Sequence, residues 1–476
     1  MPATKVVVLG AASASFGLGV LSALLSSSSL RGSTIAMVDI NESQLELMRR
    51  VIERMNRAWD AQMTLTAHTH YAEALHDACF IVSALETPPR EKLWRMDYEI
   101  ALRHGFRQPL AENGGPGGFA HAARNIGPVL EIVREMERRC PAALFINFSN
   151  PMMRICDTIA RYSSIKVVGL CHQIHLGYAM AAKVLANDLD LRVPEGFTSS
   201  HVNLDVLGPM IEAIELAVDR LDVKAAGINH FTWMLDLRDK QNGADLYPLF
   251  ARRWETFDPS FEPLTRRMYA LFGLFPVPGD EHLSEYVPWV SNPVTRPWEK
   301  YDLELYEWER WAAHRVDDTM MLTQLAEGSS PIDPWRRSRG DGSIDVIEAV
   351  VKGENAYHNA VNLPNRGQIA NLPRGAIVET PAVVGGAGIQ AITMGSLPGP
   401  IAELCRREIT VAQLCVDAVV KGDRQAALQC LLLDPIVNDI EAARELLDDY
   451  LTTYREFLPQ FWRSSIGSRN PSPSRA

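Results

Sequence analysis

The chain contains 476 residues, which at about 150 residues per domain predicts two or three domains. Hydrophobic residues make up 47% and charged residues 22%, an ordinary globular composition that excludes a disordered chain, a collagen-like repeat and a disulfide miniprotein. The 47 basic and 58 acidic residues give a net charge of -11, which repels phosphate backbones and anionic lipids, so we expect neither nucleic acid nor a membrane as a partner.

The first 40 residues have the pattern strand, tight turn, helix, strand. The β-branched run Lys5–Leu9 leads directly into Gly10, and the apolar spacing over 16–25 predicts a helix that packs on this strand. We interpret that apolar stretch as a buried helix rather than a signal peptide, because it follows a strand and lacks a basic front region. Thr34–Val38 is predicted as a second strand, and it ends at Asp39.

Further along, strands alternate with helices. Asn41 and Gln44 are spaced as a capping box at the start of a long helix. Three further apolar runs predict buried strands at 79–85, 143–148 and 166–170. A helix is predicted over 122–138. This alternation predicts an α/β fold with an N-terminal Rossmann-like, doubly wound parallel sheet.

The pattern changes after about residue 190 to longer helices with Trp-rich and Pro-rich connections, which predicts a mainly helical α+β domain at the C-terminus. The expected domains are therefore 1–190 and 191–462, followed by a mobile tail over 463–476 that is rich in Ser, Pro and Arg. The seven scattered cysteines do not resemble a disulfide framework and favour a reducing cytoplasm. No window reaches the roughly 18 apolar residues of a membrane span.

Gly10 and Asp39 indicate a dinucleotide site. A strand that delivers Gly10 to the start of a helix would direct backbone amides at a pyrophosphate, although Ala11 and Ala12 replace the glycines of the usual G-x-G-x-x-G pattern. Asp39 at the end of the second strand would accept hydrogen bonds from a ribose diol and repel a 2′-phosphate, which favours NAD over NADP. The alternative is that Asp39 only begins the turn before Asn41.

Four glycines around Pro116 form a second candidate ligand segment over 114–118. They would let the main chain approach a ligand while Glu112, just before them, points into the same cleft. The alternative is an ordinary turn at the entry of a helix.

Polar residues follow two of the predicted strands, and they should meet at the carboxyl edge of the sheet. Asn150 follows the strand at 143–148, and Cys171 with His172 follows the strand at 166–170. A lone cysteine is usually a buried small hydrophobe, so Cys171 gains meaning only with a second donor, for which His230 is the candidate. One thiolate and one imidazole would leave positions open on a catalytic metal.

The segment 279–289 concentrates acids, a histidine and aromatic residues. Asp280 and His282 stand at its start. Such a cluster is either a salt-bridged surface loop or a carboxylate base beside rings that stack on a sugar.

Over residues 5 to about 380, these motifs together resemble those of the family 4 glycoside hydrolases, which are NAD- and divalent-metal-dependent glycosidases. The motifs that carry the resemblance are Val8-Leu9-Gly10-Ala11-Ala12-Ser13, Glu112 through Phe119, Asn147 through Pro151, Gly169-Leu170-Cys171-His172, Gly227-Ile228-Asn229-His230, Gly279-Asp280-Glu281-His282 and Asn371-Leu372-Pro373.

The resemblance implies a role for each candidate residue. The manganese ion, or another divalent metal, would be held by Cys171 and His230. The general acid would be His172 and the base Asp280. Substrate contacts would come from Asn150, Arg95, Glu112 and His282. The NAD site would comprise Gly10, Ala11, Ala12, Ser13, Phe16 and Asp39. By the same resemblance, residues 1–190 would bind NAD, and residues 191–462 would bind substrate and metal and form a homodimer or homotetramer.

The resemblance also implies a reaction and a substrate class. Histidine at position 172, where relatives acting on 6-phosphorylated sugars tend to have Asn or Asp, favours an unphosphorylated, α-linked glycoside. Hydride would pass from sugar C3 to NAD, a base would remove the C2 hydrogen, and elimination, water addition and hydride return would follow. The alternatives are an NAD-dependent hydroxy-acid or sugar dehydrogenase, and a catalytically silent NAD-binding regulator.

Overall fold

The computed structural model describes residues 4–200, 202–338 and 342–463. The strands in these ranges are β1 Lys5–Leu9, β2 Thr34–Val38, β3 Thr64–His68, β4 Phe80–Ser83, β5 Leu144–Asn147, β6 Lys166–Gly169, β7 Leu221–Ile228, β8 Phe231–Asp239, β9 Phe275–Pro276, β10 Ala356–Pro364, β11 Ile377–Gly385 and β12 Gly388–Ala391. The helices are α1 Phe16–Ser26, α2 Glu42–Ala58, α3 Tyr71–Ala74, α4 Arg90–Arg103, α5 Gly115–Arg139, α6 Met152–Tyr162, α7 Gln173–Val184, α8 Ala186–Leu189, α9 Leu207–Arg220, α10 Tyr247–Thr256, α11 Pro263–Phe272, α12 Asp280–Ser284, α13 Trp308–Glu327, α14 Ser343–Lys352, α15 Gly399–Lys421, α16 Arg424–Leu433 and α17 Ile440–Thr453.

The strands form one sheet in the order β3-β2-β1-β4-β5-β6-β10-β11-β7-β8-β9, with β12 paired to β11. The six strands from β3 to β6 are parallel, and the predicted Rossmann-like, doubly wound sheet is confirmed. The C-terminal half is α+β as predicted, but its strands run antiparallel and extend the same sheet beyond β6. The boundary at 190/191 remains a prediction.

The sheet is buried on both sides. Val7 and Leu9 of β1 belong to one core, with α5, α6 and α15, whereas Val6 and Val8 belong to the other, with α1, α2 and α14. The continuous β-branched run of β1 is the sequence signature of this double burial. Helices of the C-terminal half therefore cover strands of the N-terminal half.

The structure differs from the sequence-based predictions at two local features. The strand β3 was not predicted because it is a half-exposed edge strand with a polar sequence. Helix α5 begins at Gly115, seven residues before the predicted start, because the glycine segment is its first turn. Most of the predicted tail, 464–476, lies outside the described residues. Within the described ranges, every helix is too short or too polar to traverse a bilayer.

Candidate active site

The parallel strands end in register at one edge of the sheet. Leu9 pairs with Val38 and with Ser83, and the same line continues through Asn147 to Gly169. The residues that follow these strand ends lie along one edge, where open α/β sheets bind ligands.

At one end of this edge, Asp39 holds the loop after β1. Its Oδ2 accepts the Ala12 N–H at 3.0 Å, and its Oδ1 accepts the Asn41 N–H at 3.0 Å. Each oxygen keeps a lone pair, so the carboxylate fits the predicted ribose contact. The amides of Gly10 and Ala11 donate to Val38 O, so a pyrophosphate here would depend on the amides at the start of α1.

Close packing explains the glycine near the start of α1. A Cβ on Gly17 would lie 2.2 Å from the carbonyl oxygen of Ala11, which belongs to the loop predicted to hold NAD. Because this oxygen is a backbone atom, relieving the clash would require the loop itself to shift. The Phe16 ring packs 5.0 Å from that of Phe148. The loop after β1, the start of α1 and the end of β5 are therefore packed together.

Gly17→Ala is expected to lower stability by about 1–3 kcal/mol and to weaken NAD binding, because the added methyl group displaces the loop. Gly19→Ala is the matched control, since its Cβ would lie 3.6 Å from Ser338 Oγ, an ordinary contact. Denaturant unfolding and NAD titration of both variants check this prediction. Equal NAD affinity in the two variants would contradict it.

The candidate metal donors meet at the middle of the edge. Cys171 Sγ lies 2.9 Å from His230 Nε2, although the two residues are 59 positions apart. Burial raises the pKa of the Cys171 thiol to about 12, and the charge of Glu379 contributes, so the thiol would bind a cation by releasing its proton. A thiolate and an imidazole suit Mn²⁺ less well than oxygen ligands do, but both are established donors for divalent transition metals.

No third histidine, cysteine or acid joins this pair into a metal cage among the residues that the structure describes. A cation held by two protein donors would keep several coordination positions for sugar oxygens, which fits a catalytic metal site rather than a closed structural one. Behind the pair, Glu379 Oε2 accepts the Asn229 side-chain amide at 2.8 Å and the Asn362 side-chain amide at 2.7 Å. This buried acid positions the residue that precedes His230.

His282 lies against the same pair. Its ring stacks on that of His230, with centroids 4.4 Å apart and an interplanar angle of 10°. Its Nδ1 is 3.0 Å from Glu285 Oε1. The predicted substrate residue His282 is therefore brought to the metal candidates.

The glycine segment is the helix entry that the simpler alternative described. Gly114 caps α5, and a Cβ there would lie 2.5 Å from the carbonyl oxygen of Glu285. A Cβ on Gly118 would lie 2.5 Å from the carbonyl oxygen of Asn113. These glycines are required for close packing in the candidate site.

Glu112 faces Arg90, an arginine to which the sequence analysis gave no role. Arg90 Nη2 lies 3.4 Å from Glu112 Oε1, and its guanidinium stacks 4.6 Å from the Trp94 ring. Arg95, the predicted substrate contact, is on the exposed face of α4, where it pairs with Glu99 and Glu309. The structure does not bring Arg95 to the cluster, because five residues along a helix rotate the side chain to another face.

The predicted base, Asp280, is tied to a helix. Its Oδ2 accepts the Leu264 N–H at 2.8 Å and its Oδ1 accepts the Thr265 N–H at 2.7 Å, in the first turn of α11. Burial and the charge of Glu262 raise the pKa of Asp280 above its usual range. The same two causes raise the pKa of the neighbouring Glu281 to about 7.

The remaining predicted residues lie at the same edge. His172 is exposed and precedes α7 directly after Cys171. Asn150 Oδ1 is buried and accepts no hydrogen bond from the described residues, so a ligand hydroxyl would satisfy it. The sequence analysis assigned no role to Arg90, Glu285 or Glu379. Arg90 directly follows the proline pair after β4, and Glu285 lies in the acid-rich segment 279–289, so these two carried a positional signal.

Two family models match this chain. The model described as family 4 glycosyl hydrolase matches residues 5–191, and the model of the family 4 glycosyl hydrolase C-terminal domain matches residues 225–437. Together they span both halves of the sheet and the candidate site.

Individual relatives align over nearly the whole chain. An alpha-glucosidase of Erwinia rhapontici is 28% identical, covering 96% of this chain and 99% of the relative. The crystal structure of lplD from Bacillus subtilis superposes with a TM-score of 0.80 at 23% identity, covering 94% and 100%. A 6-phospho-alpha-glucosidase from gut microorganisms, solved with NAD and Mn²⁺, gives 0.75 at 18% identity, covering 96% and 99%. The structural matches establish the fold.

Proposed function

The chain belongs to the family 4 glycosyl hydrolases, and from this premise we propose that it hydrolyses an unphosphorylated, α-linked glycoside with bound NAD and Mn²⁺ or another divalent metal. The observation that carries the proposal is the 2.9 Å contact of Cys171 Sγ with His230 Nε2, on the sheet edge that also presents Gly10 and Asp39. A hydroxy-acid dehydrogenase is not favoured, because hydrolase family models match both halves of the chain.

We assign the cofactor sites to residues of this edge. The cation would be held by Cys171 and His230. The NAD site would be formed by Gly10, Ala11, Ala12, Ser13, Phe16 and Asp39. When bound, NAD supplies reversible hydride acceptance at sugar C3, and the cation supplies Lewis acidity at the sugar oxygens. The relative solved with NAD and Mn²⁺ supports this cofactor pair.

The chain's own residues would move the protons. His172, exposed beside Cys171, would protonate the departing glycosidic oxygen. Asp280 would remove the C2 hydrogen, and Glu281 is a second candidate because a pKa of about 7 suits a base at neutral pH. Water addition and return of hydride leave no net oxidation, so the two flanking carboxylates of ordinary glycosidases are not required.

The substrate class follows from the site and its relatives. His172 in place of Asn or Asp favours a sugar without a 6-phosphate, and the alpha-glucosidase relative supports an α-linked substrate. Asn150 and Glu112 would bind sugar hydroxyls. We further propose a homodimer or homotetramer that works in the cytoplasm without a nucleic-acid or membrane partner.

Removal of the cofactors tests the proposal. Chelation and exhaustive removal of nucleotide are expected to abolish hydrolysis of an aryl α-glycoside, and Mn²⁺ with NAD to restore it. NAD should be needed only in catalytic amounts. Formation of NADH in a stoichiometric amount would instead identify a dehydrogenase. Release of neither sugar nor NADH would identify a regulator. Full activity of the stripped protein would overturn the proposal.

A further inference from the structure

Glu285 joins two parts of the site that are far apart in sequence. It follows α12 and its side chain is fully buried. Its Oε2 accepts the backbone N–H groups of Glu112 at 3.3 Å, Asn113 at 2.9 Å and Gly114 at 3.0 Å. Its Oε1 contacts His282 Nδ1 at 3.0 Å. One carboxylate therefore ties the start of α5 to the ring beside the metal candidates.

The chemistry of these contacts fixes the hydrogen on His282. A carboxylate that receives three amide N–H groups is an acceptor, so the hydrogen between Glu285 and His282 belongs to Nδ1 of the ring. The ring plane is fixed as well, because His282 stacks on His230.

The next residue supports His230 from the same segment. Tyr286 Oη accepts the His230 N–H at 3.3 Å, and its own hydroxyl donates to the Asn229 carbonyl oxygen at 3.4 Å. Residues 282–286 thus contact the metal candidate through both its ring and its backbone. A change at Glu285 would be transmitted to the site through the His282 ring.

We propose that Glu285 is a positioning residue for the hydrolysis: through the hydrogen on Nδ1 it holds the His282 ring stacked on His230, in the orientation in which the ring would contact substrate. That the ligand of the His282 ring is the glycoside substrate rests on the proposed function. Glu285 itself contacts His282 and backbone amides, and acts on substrate only through that ring.

Glu285→Gln tests the proposal because it keeps the size of the side chain and changes one hydrogen bond. The amide oxygen can still accept from the backbone, but the NH₂ group would donate to Nδ1 and move the ring hydrogen to Nε2. We expect kcat/KM to fall about 10- to 100-fold, the usual cost of losing a partner that orients a site residue. Glu408→Gln is the control, since this buried acid pairs with Arg407 and does not contact His282.

A double-mutant cycle separates positioning from general support of the fold. If Glu285 acts through His282, Glu285→Gln should cost almost nothing further in a His282→Ala background. Multiplicative losses would overturn the proposal and leave Glu285 as a helix cap only. Unchanged kcat/KM in the single variant would also overturn it.

Nitrogen-15 NMR of histidine-labelled wild-type protein gives a readout that needs no turnover. The His282 signal, identified by its loss in His282→Ala, should report hydrogen on Nδ1. Hydrogen on Nε2 alone would contradict the positioning role even if Glu285→Gln fails to fold. A protein that hydrolyses no glycoside yet has hydrogen on Nδ1 would refute the proposed function and leave the geometry of Glu285 intact.

Discussion

Replacing Cys171 by serine, or His230 by alanine, is expected to lower turnover by more than about a hundredfold, since loss of even an indirect partner of a metal site costs about 10- to 100-fold. The two side chains contact each other at 2.9 Å and would share one cation. Metal affinity should fall in both variants, whereas NAD should bind normally because Gly10 and Asp39 lie elsewhere on the edge. Metal titration and steady-state kinetics measure these effects.

Cys79→Ser is the matched control for loss of a thiol. Cys79 is exposed and immediately precedes β4, at the opposite end of that strand from the site. Its replacement should leave metal affinity and turnover unchanged. Unchanged metal binding in both site variants would return Cys171 to the role of a buried thiol at a strand end.

Asp280→Asn is expected to lower kcat by about a hundredfold to ten-thousandfold, the typical contribution of a positioned general base. The same change should also lower stability, by about 1–3 kcal/mol, because an amide NH₂ would face one of the two N–H groups of α11 that Asp280 now accepts. Kinetics and denaturant unfolding, measured on the same preparation, separate the two effects.

Glu281→Gln distinguishes the second candidate for the base. A base acts when deprotonated, so if Glu281 removes the C2 hydrogen, activity should rise with pH through about 7 and this rise should be absent from the variant. If turnover is lost only in Glu281→Gln, and Asp280→Asn is merely less stable, then Asp280 is a helix cap and the base is its neighbour.

The parallel half of the sheet was predictable because its strands are buried on both faces. Lys5–Leu9 and Thr34–Val38 match their strands residue for residue, and the Asn41 cap forms as its spacing predicts, with Asn41 Oδ1 accepting the Gln44 N–H. The half-exposed β3 lacked this signal. Apolar runs and composition are local properties of the sequence, so they identify strands but not the pairing of β10 with β6.

Site residues that directly follow a strand were predictable from the sequence. Contacts between residues far apart in the sequence were not. Cys171 and His230 were paired across 59 residues by their chemistry and by the resemblance, and the structure brings them together. Arg95 was predicted to contact substrate, but it pairs with Glu99 and Glu309 on the exposed face of α4, and the arginine beside Glu112 is Arg90. Nothing near Glu285 indicates that its partners lie more than 170 residues earlier, because that contact exists only after folding.

The removal of the C2 hydrogen is the step that separates this account from every direct displacement. Hydrolysis in deuterium oxide, with NAD and Mn²⁺ present, should place deuterium at C2 of the released sugar, because the abstracted hydrogen is replaced from solvent. Ordinary glycosidases leave that position untouched. Nuclear magnetic resonance of the product measures the exchange. Full deuteration at C2 is the predicted result, and a released sugar without deuterium at C2 would contradict the account.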